Sequence, residues 1–199
     1  MGNRRLGARR LNSLMGTLAE DNRNAAGPGI RDAIVSSTVH RQGNKVVTQI
    51  AIDLGTSKAT IASSTTDLDI IGVSGGGAAY LTQLTPAING YITYAEMACV
   101  ELPAGGVTDI DLYIATEGTS TQAFDASISD YTETAIITAG GAWALGEVDH
   151  YALTPGTAFD LGSEDKYLYI VGGADGTAAD YTAGKYIITL EGYLAPDDI

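Results

Sequence analysis

From Ile30 onward the apolar residues of this chain recur at every second position. In Val46–Leu54 the residues Ile50, Ile52 and Leu54 share one face, and in Val107–Ala115 the residues Ile110, Leu112 and Ile114 alternate with Asp109, Asp111 and Tyr113. Alternate side chains of an extended chain point to opposite faces, so each run presents one apolar face to a core and one polar face to water. Runs of this kind are expected as strands at Ile30–Val39, Val46–Leu54, Tyr91–Leu102, Val107–Ala115, Thr134–Thr138, Lys166–Val171 and Lys185–Gly192. A short apolar run lies at Leu68–Val73, and a helical turn or strand at Ala78–Leu84. The 25 glycines and only five prolines fit many strands joined by tight turns. The polar turn RQGNK should join the first two strands as a hairpin, and Pro103–Gly106 should join Tyr91–Leu102 to Val107–Ala115 as another. About eight to ten strands bury both apolar faces most simply in an all-β, two-layer β-sandwich or jelly roll.

Charge divides the chain into two parts. Residues 1–45 hold eight of the eleven Lys and Arg, and residues 46–199 hold 21 of the 24 Asp and Glu. This reads as a basic N-terminal anchoring arm, 1–45, of formal charge +5 joined to an acidic β-sandwich domain, 46–199, of charge −18. The arm is extended and partly helical, with a short helix expected at Leu11–Asn22, weakened by Gly16 and ended by the Gly27, Pro28, Gly29 break. A basic arm seeks an acidic or phosphate-bearing surface. The residues expected to meet a partner are Arg4, Arg5, Arg9, Arg10, Leu11, Leu14, Arg23 and Arg31. Nucleic acid is a poor fit, because the acidic body repels a phosphate backbone and the eleven tyrosines lie apart from the basic residues. Deleting Met1–Asn44 is expected to leave a folded domain.

Catalytic constellations are weak. Gly72, Val73, Ser74, Gly75 and Gly76 satisfy G-x-S-x-G, yet that nucleophile turn must open a long helix, and Asp149 beside His150 points to opposite faces of one strand. The segment IAIDLGTSKATI resembles a phosphate loop of the actin-like ATPases but lacks that family's second loop and adenosine motif; a hairpin accounts for it better. Cys99, in AEMACVEL, reads as a small buried hydrophobe. With His40 and His150 it offers no metal-ligand spacing. Glu117, Asp125, Asp130, Asp175 and Asp180 lack the alternation of a calcium loop and read as solvated acidic loops. No stretch of 18 apolar residues is present, and no apolar segment follows the Arg pairs as a secretory leader would require. A non-enzymatic protein without cofactor, made and used in the cytoplasm of its producing cell, is expected. The tyrosines suit a half-wet oligomer or docking surface.

The opening NRRLGARRLNSL, the segment AIVSSTVHRQGNKVVTQIAIDLG, the AGGVTDIDLYIAT run and the closing TAGKYIITLEGY together resemble virion structural proteins of tailed bacteriophages, marine and cyanobacterial phages in particular. The resemblance is one of texture and length over the whole chain. It implies a β-rich, head-associated protein, a capsid decoration or cement protein on the virion surface. Its partners would be the major capsid protein and further copies of itself, as trimers or dimers. A tail, collar or fibre component with a glycan- or partner-binding sandwich is the alternative.

Overall fold

The computed structural model describes residues 19–21, 25–119, 121–152 and 165–194, with backbone alone for 19–21 and 152. The alternation read from the sequence is realised most fully in β3 (Lys45–Asp53) and β12 (Ala183–Tyr193), whose residues are buried at every second position. Nine residues of each pair in unbroken antiparallel register, from Lys185 opposite Asp53 to Tyr193 opposite Lys45. A one-residue slip would turn Ile50, Ile52, Tyr186, Ile188 and Leu190 outward, so burial of one face fixes the register.

The other strands, in chain order, are β1 (Ala19–Asp21), β2 (Ile34–Gln42), β4 (Ala62–Ser63), β5 (Thr82–Leu84), β6 (Tyr91–Ala104), β7 (Ile110–Ala115), β8 (Glu133–Ile137), β9 (Val148–Ala152), β10 (Lys166–Gly172) and β11 (Ala179–Asp180). They form a six-stranded sheet ordered β1-β2-β3-β12-β6-β9, a four-stranded sheet ordered β5-β10-β7-β8, and a small β11-β4 ladder. Every ladder is antiparallel.

Set aside β1, β2 and the β4-β11 ladder, and count the remaining eight strands from β3 as first to β12 as eighth. The first sheet then runs first, eighth, third, sixth, and the second runs second, seventh, fourth, fifth. This nested order is that of a jelly roll, two Greek keys folded into facing sheets. One apolar cluster joins the sheets: Ile50, Ile52, Met97 and Ile188 from the first, Leu112, Ile114, Leu168 and Ile170 from the second. Each such side chain, fully withdrawn from water, contributes roughly 1.5–3 kcal/mol of transfer free energy. Trp143 seals part of this core, with its indole N–H donating to the Ile110 carbonyl at 2.8 Å and its ring meeting Tyr186 edge-to-face at 5.5 Å.

Several expectations need correction. The β2–β3 hairpin forms, turning at Gly43 with φ +61°. The hairpin expected between Tyr91–Leu102 and Val107–Ala115 does not, because β6 pairs with β12 and β9 while β7 pairs with β10 and β8. The intervening turn carries the chain from one sheet to the other. Gly105 sits there at φ +96° against the Asp180 carbonyl, and the Tyr181 hydroxyl donates to the Val107 carbonyl at 2.8 Å.

Ile30 lies in a turn rather than a strand, since Gly27 and Gly29 donate their N–H groups to Tyr80 and Ala78 and hold the segment against the body. A 3₁₀ turn, Arg31–Ala33, follows before β2 begins. Leu68–Val73 is tied by isolated bridges, Ile70 to Val171 among them, and forms no continuous strand.

The folded body also begins earlier than residue 46. Ile30, Ala33, Ile34 and Ser37 are buried, and β2 pairs along its length with β3. Of the helix expected at Leu11–Asn22, residues 11–18 and 22 lie outside the described residues, while Ala19–Asp21 pair as a strand with Thr38–His40.

Candidate functional site

Of the residues expected to meet a partner, Arg4, Arg5, Arg9, Arg10, Leu11, Leu14 and Arg23 lie outside the described residues. Arg31 stands exposed on its 3₁₀ turn with its backbone N–H donating to the Gly27 carbonyl. Arg31 is thus the one of the eight that falls among the described residues. Nearer the N-terminus, β1 adds to β2 at the outer edge of the six-stranded sheet.

Two surfaces of the body stand out. The first is a group of exposed apolar side chains where β6 meets β9. Val100 and Leu102 on β6, Val148 on β9 and Leu145 in the preceding turn are all exposed, Leu145 at 67 %. The patch is continuous because Val148 lies opposite Ala98, and the turn is tied to β6 through the Gly146 N–H to the Cys99 carbonyl and the Cys99 N–H to the Glu147 carbonyl. The sheet also carries ion pairs, Lys45 with Glu191 at 2.9 Å and, between Val100 and Leu102, Glu101 with Lys185 at 2.7 Å.

The second surface is an acidic cleft of about 300 Å³ between the loops 105–109 and 174–177. Asp109 and Asp175 line it. Asp109 immediately precedes β7, and Asp111 is that strand's second residue, so both carboxylates project from one face. Sequence pattern had that face wet; instead Asp109 is 9 % and Asp111 6 % exposed.

The loops that cover the face explain the difference. The Ala139 N–H donates to Asp111 Oδ1 at 2.8 Å, the Gly173 N–H donates to the Asp109 carbonyl at 2.9 Å, and the Asp67 N–H donates to Asp175 Oδ1 at 2.9 Å. Asp109 Oδ1 is buried without a hydrogen-bond partner among the described residues. Burial pushes the Asp109 carboxyl up from its ordinary range. Burial likewise pushes Asp111 up to about 6, opposed by the Ala139 hydrogen bond and reinforced by the neighbouring carboxylates Asp109, Asp67 and Asp149.

The remaining candidates separate. Cys99 is a buried free thiol whose pKa burial raises, and it donates to the Glu101 carbonyl at 3.4 Å. Ser74 lies in an exposed turn with no helix after it. His150 stacks on Tyr94 on the outer face while Asp149 pairs opposite buried Met97, as adjacent strand residues must. Among the described residues no group of three or more His, Cys, Asp and Glu is arranged to hold a metal ion, and no helix is long and apolar enough to cross a membrane. Of the five acidic loop residues singled out in sequence, Asp175 alone lines the cleft; Asp125 accepts from the Ser64 hydroxyl, and Glu117 accepts the Tyr169 hydroxyl through its carbonyl. The signal for Asp109 and Asp111 was the D-I-D spacing itself, two carboxylates on one face of a strand rich in apolar residues.

Fold and surfaces define an all-β, jelly-roll protein with an acidic cleft at one end of its second sheet. No family model and no curated protein sequence matches the chain. Among solved structures, the chain is similar to one in the cyanophage Pam1 capsid asymmetric unit, with a TM-score of 0.30 and 18 % identity over 77 % of this chain and 86 % of that one. It is also similar to one in the T13 viral particle of IBDV, with a TM-score of 0.26 and 11 % identity over 81 % of this chain and 38 % of that one. At such TM-scores neither likeness carries an argument about function.

Proposed function

We propose that this chain is a non-enzymatic structural protein of a tailed-phage virion, a decoration or cement protein held on the outer surface of the head by its basic N-terminal segment. The observation that carries the reading is the charge division: residues 1–18 contain four Arg and no Asp or Glu, while residues 19–199 contain all 24 acidic residues. Arginine is suited to bidentate pairing with carboxylates, so Arg4, Arg5, Arg9 and Arg10 are matched to an acidic groove between subunits of a major capsid protein. Short-range contacts of this kind, repeated on every subunit of a lattice, offset the cost of ordering the segment.

The acidic body faces solvent and away from packaged DNA. Such bodies repel one another, so contact between copies in a trimer or dimer falls on apolar side chains, and exposed Val100, Leu102, Leu145 and Val148 are suited to it. The jelly roll is compatible with this role, though the fold recurs in capsid and lectin domains alike and does not by itself select a function.

The test uses the full-length chain, because removing Met1–Asn44 would take β2 and the buried Ile30, Ala33 and Ile34 with it. Purified wild-type protein and a variant with Arg4, Arg5, Arg9 and Arg10 all changed to Ala are sedimented with phage heads lacking the protein. Saturable wild-type binding, reduced at least tenfold in the variant, is expected; equal binding of the two would remove the anchoring role.

A second reading, a tail or fibre component that binds glycan, is favoured by one feature: the half-buried Tyr80 and Tyr167 rings packed edge-to-face at 4.9 Å, beside Gln83 and Asp165. Particle labelling with an antibody separates the two readings, by decoration of heads or of tails.

A further inference from the structure

We propose that β9 is a docking edge for a second copy of this chain. Two β9 strands pair antiparallel about a twofold axis at His150 and join the six-stranded sheets of two bodies into one. The inference rests on the reading that copies meet at the exposed apolar side chains of β6 and β9, and gives that contact an order and a register. It does not depend on what residues 1–18 bind.

An edge strand offers a row of main-chain donors and acceptors to any strand that can approach it, and proteins usually blunt such edges with charge, proline, bulges or short length. The two sheets end at β1, β9, β5 and β8. β1 is three residues long and includes Glu20 and Asp21. β5 is also three residues, with Thr82 and Leu84 buried, and β8 buries Ile136 and Ile137. β9 differs from all of these. Its five residues, Val-Asp-His-Tyr-Ala, include no Lys, Arg or Pro, and they run along β6 with no bulge. Val148 and Tyr151 are both exposed.

The ladder with β6 fixes which main-chain groups face the edge. The Cys99 N–H donates to the Glu147 carbonyl at 2.9 Å. Hydrogen-bonded and non-bonded pairs alternate in an antiparallel ladder, so Asp149 and Tyr151 direct their main-chain groups toward β6, while Val148, His150 and Ala152 direct theirs to the open edge. A second β9 strand presents the same three residues. Centring the pair on His150 sets Val148 opposite Ala152 of the partner subunit and uses all five residues of each strand.

Charge selects the same register. The body carries a formal −18, so most contacts between copies bring carboxylates together. Asp149 is the one acidic residue of β9, and with His150 at the centre it falls opposite Tyr151 of the partner subunit. Centring on Asp149 would set that carboxylate against its own copy, a destabilising like-charge pair, and leave the end of the strand unpaired. Val148, on the edge, is continuous with exposed Val100 and Leu145, so apolar surface flanks the junction. Five strand residues and a few neighbours are far fewer than the about 20–30 residues a side of a stable interface, so the dimer is weak in free solution and gains from a lattice that holds copies together.

Sedimentation equilibrium of the full-length chain should show a monomer–dimer equilibrium with a dissociation constant between about 1 μM and 1 mM. Val148→Lys, which places a guarding charge on the edge, should weaken it at least tenfold. His150→Pro deletes an edge-facing N–H, which an edge strand tolerates, and should do the same. Val35→Lys, equally exposed but on β2 inside the sheet, should leave it unchanged. Cross-linking reads the register: a hydrogen-bonded antiparallel pair sets Cα atoms about 5.5 Å apart, within disulfide range, so His150→Cys should oxidise to a linked dimer at least tenfold faster than Val35→Cys. A chain that stays monomeric to 1 mM, a dimer that Val148→Lys leaves intact, or equal cross-linking of the two cysteine variants would overturn the pairing. A monomer that still sediments with phage heads would remove this inference and leave the anchoring role standing; a dimer that fails to bind heads would do the reverse.

Discussion

Replacing Asp111 with asparagine should make the protein more stable in neutral solution and leave it unchanged in acid. In the folded chain the Asp111 carboxyl is pushed from the ordinary 3.8 up to about 6, chiefly by burial. A carboxyl whose folded value is raised binds its proton more tightly in the native state than in the unfolded one. Its contribution to stability is therefore fully present below pH 3.8 and lost as pH rises through about 6. The gap corresponds to about 3 kcal/mol disfavouring the ionised native form at pH 7–8.

Asparagine removes that cost while keeping an oxygen to accept the Ala139 N–H. The variant should then exceed wild type by about 2–3 kcal/mol at pH 8, or roughly 5–10 °C in Tm, with the difference vanishing near pH 4. Urea unfolding, followed through the fluorescence of Trp143, the chain's single tryptophan, measures it across pH 4–8. An asparagine variant no more stable than wild type at pH 8, or a difference independent of pH, would refute the assignment of a strained buried carboxylate.

Three further outcomes are expected. Cys99, buried and with its thiol pushed up by burial, should react with an aromatic disulfide reagent only after denaturation; stoichiometric labelling of the native chain would contradict the burial. Gly105→Ala combines a left-handed φ of +96° with a collision between the new methyl and the Asp180 carbonyl, so chemical denaturation should record a loss of at least about 2 kcal/mol. Ile188→Ala in β12, at the junction of both long ladders, should cost about 2–5 kcal/mol by the same assay, and a loss below 1 kcal/mol would argue against a dry core there.

The strands with long, unbroken alternation were legible in the sequence because their burial is decided locally: β3 and β12 follow the period-two pattern residue by residue. The β2–β3 hairpin was legible for the same reason, its turn being set by Gly43. Partner choice over long distances was not. β6 and β7 look like a hairpin because a Pro-Ala-Gly-Gly turn lies between their apolar runs, but β6 gains more by pairing along β12, at the far end of the chain. Asp109 and Asp111 looked wet for a related reason. The residues that cover them, Ala139 and Gly173, come from segments with no period of their own. The charge division was plain, yet its boundary misled: Arg31, Arg41 and Lys45 belong to the folded body, and net charge says nothing about the pairing of β2 with β3.

The central claim is that the basic N-terminal segment fastens an acidic jelly roll to the outside of a phage head. Cryo-electron microscopy of heads reconstituted with the full-length protein tests it most directly. The account expects jelly-roll density on the outer capsid surface, with residues 1–18 traced along acidic side chains of the capsid subunits. Density confined to the tail, or a body seated on the shell through its acidic faces with residues 1–18 making no contact, would contradict it.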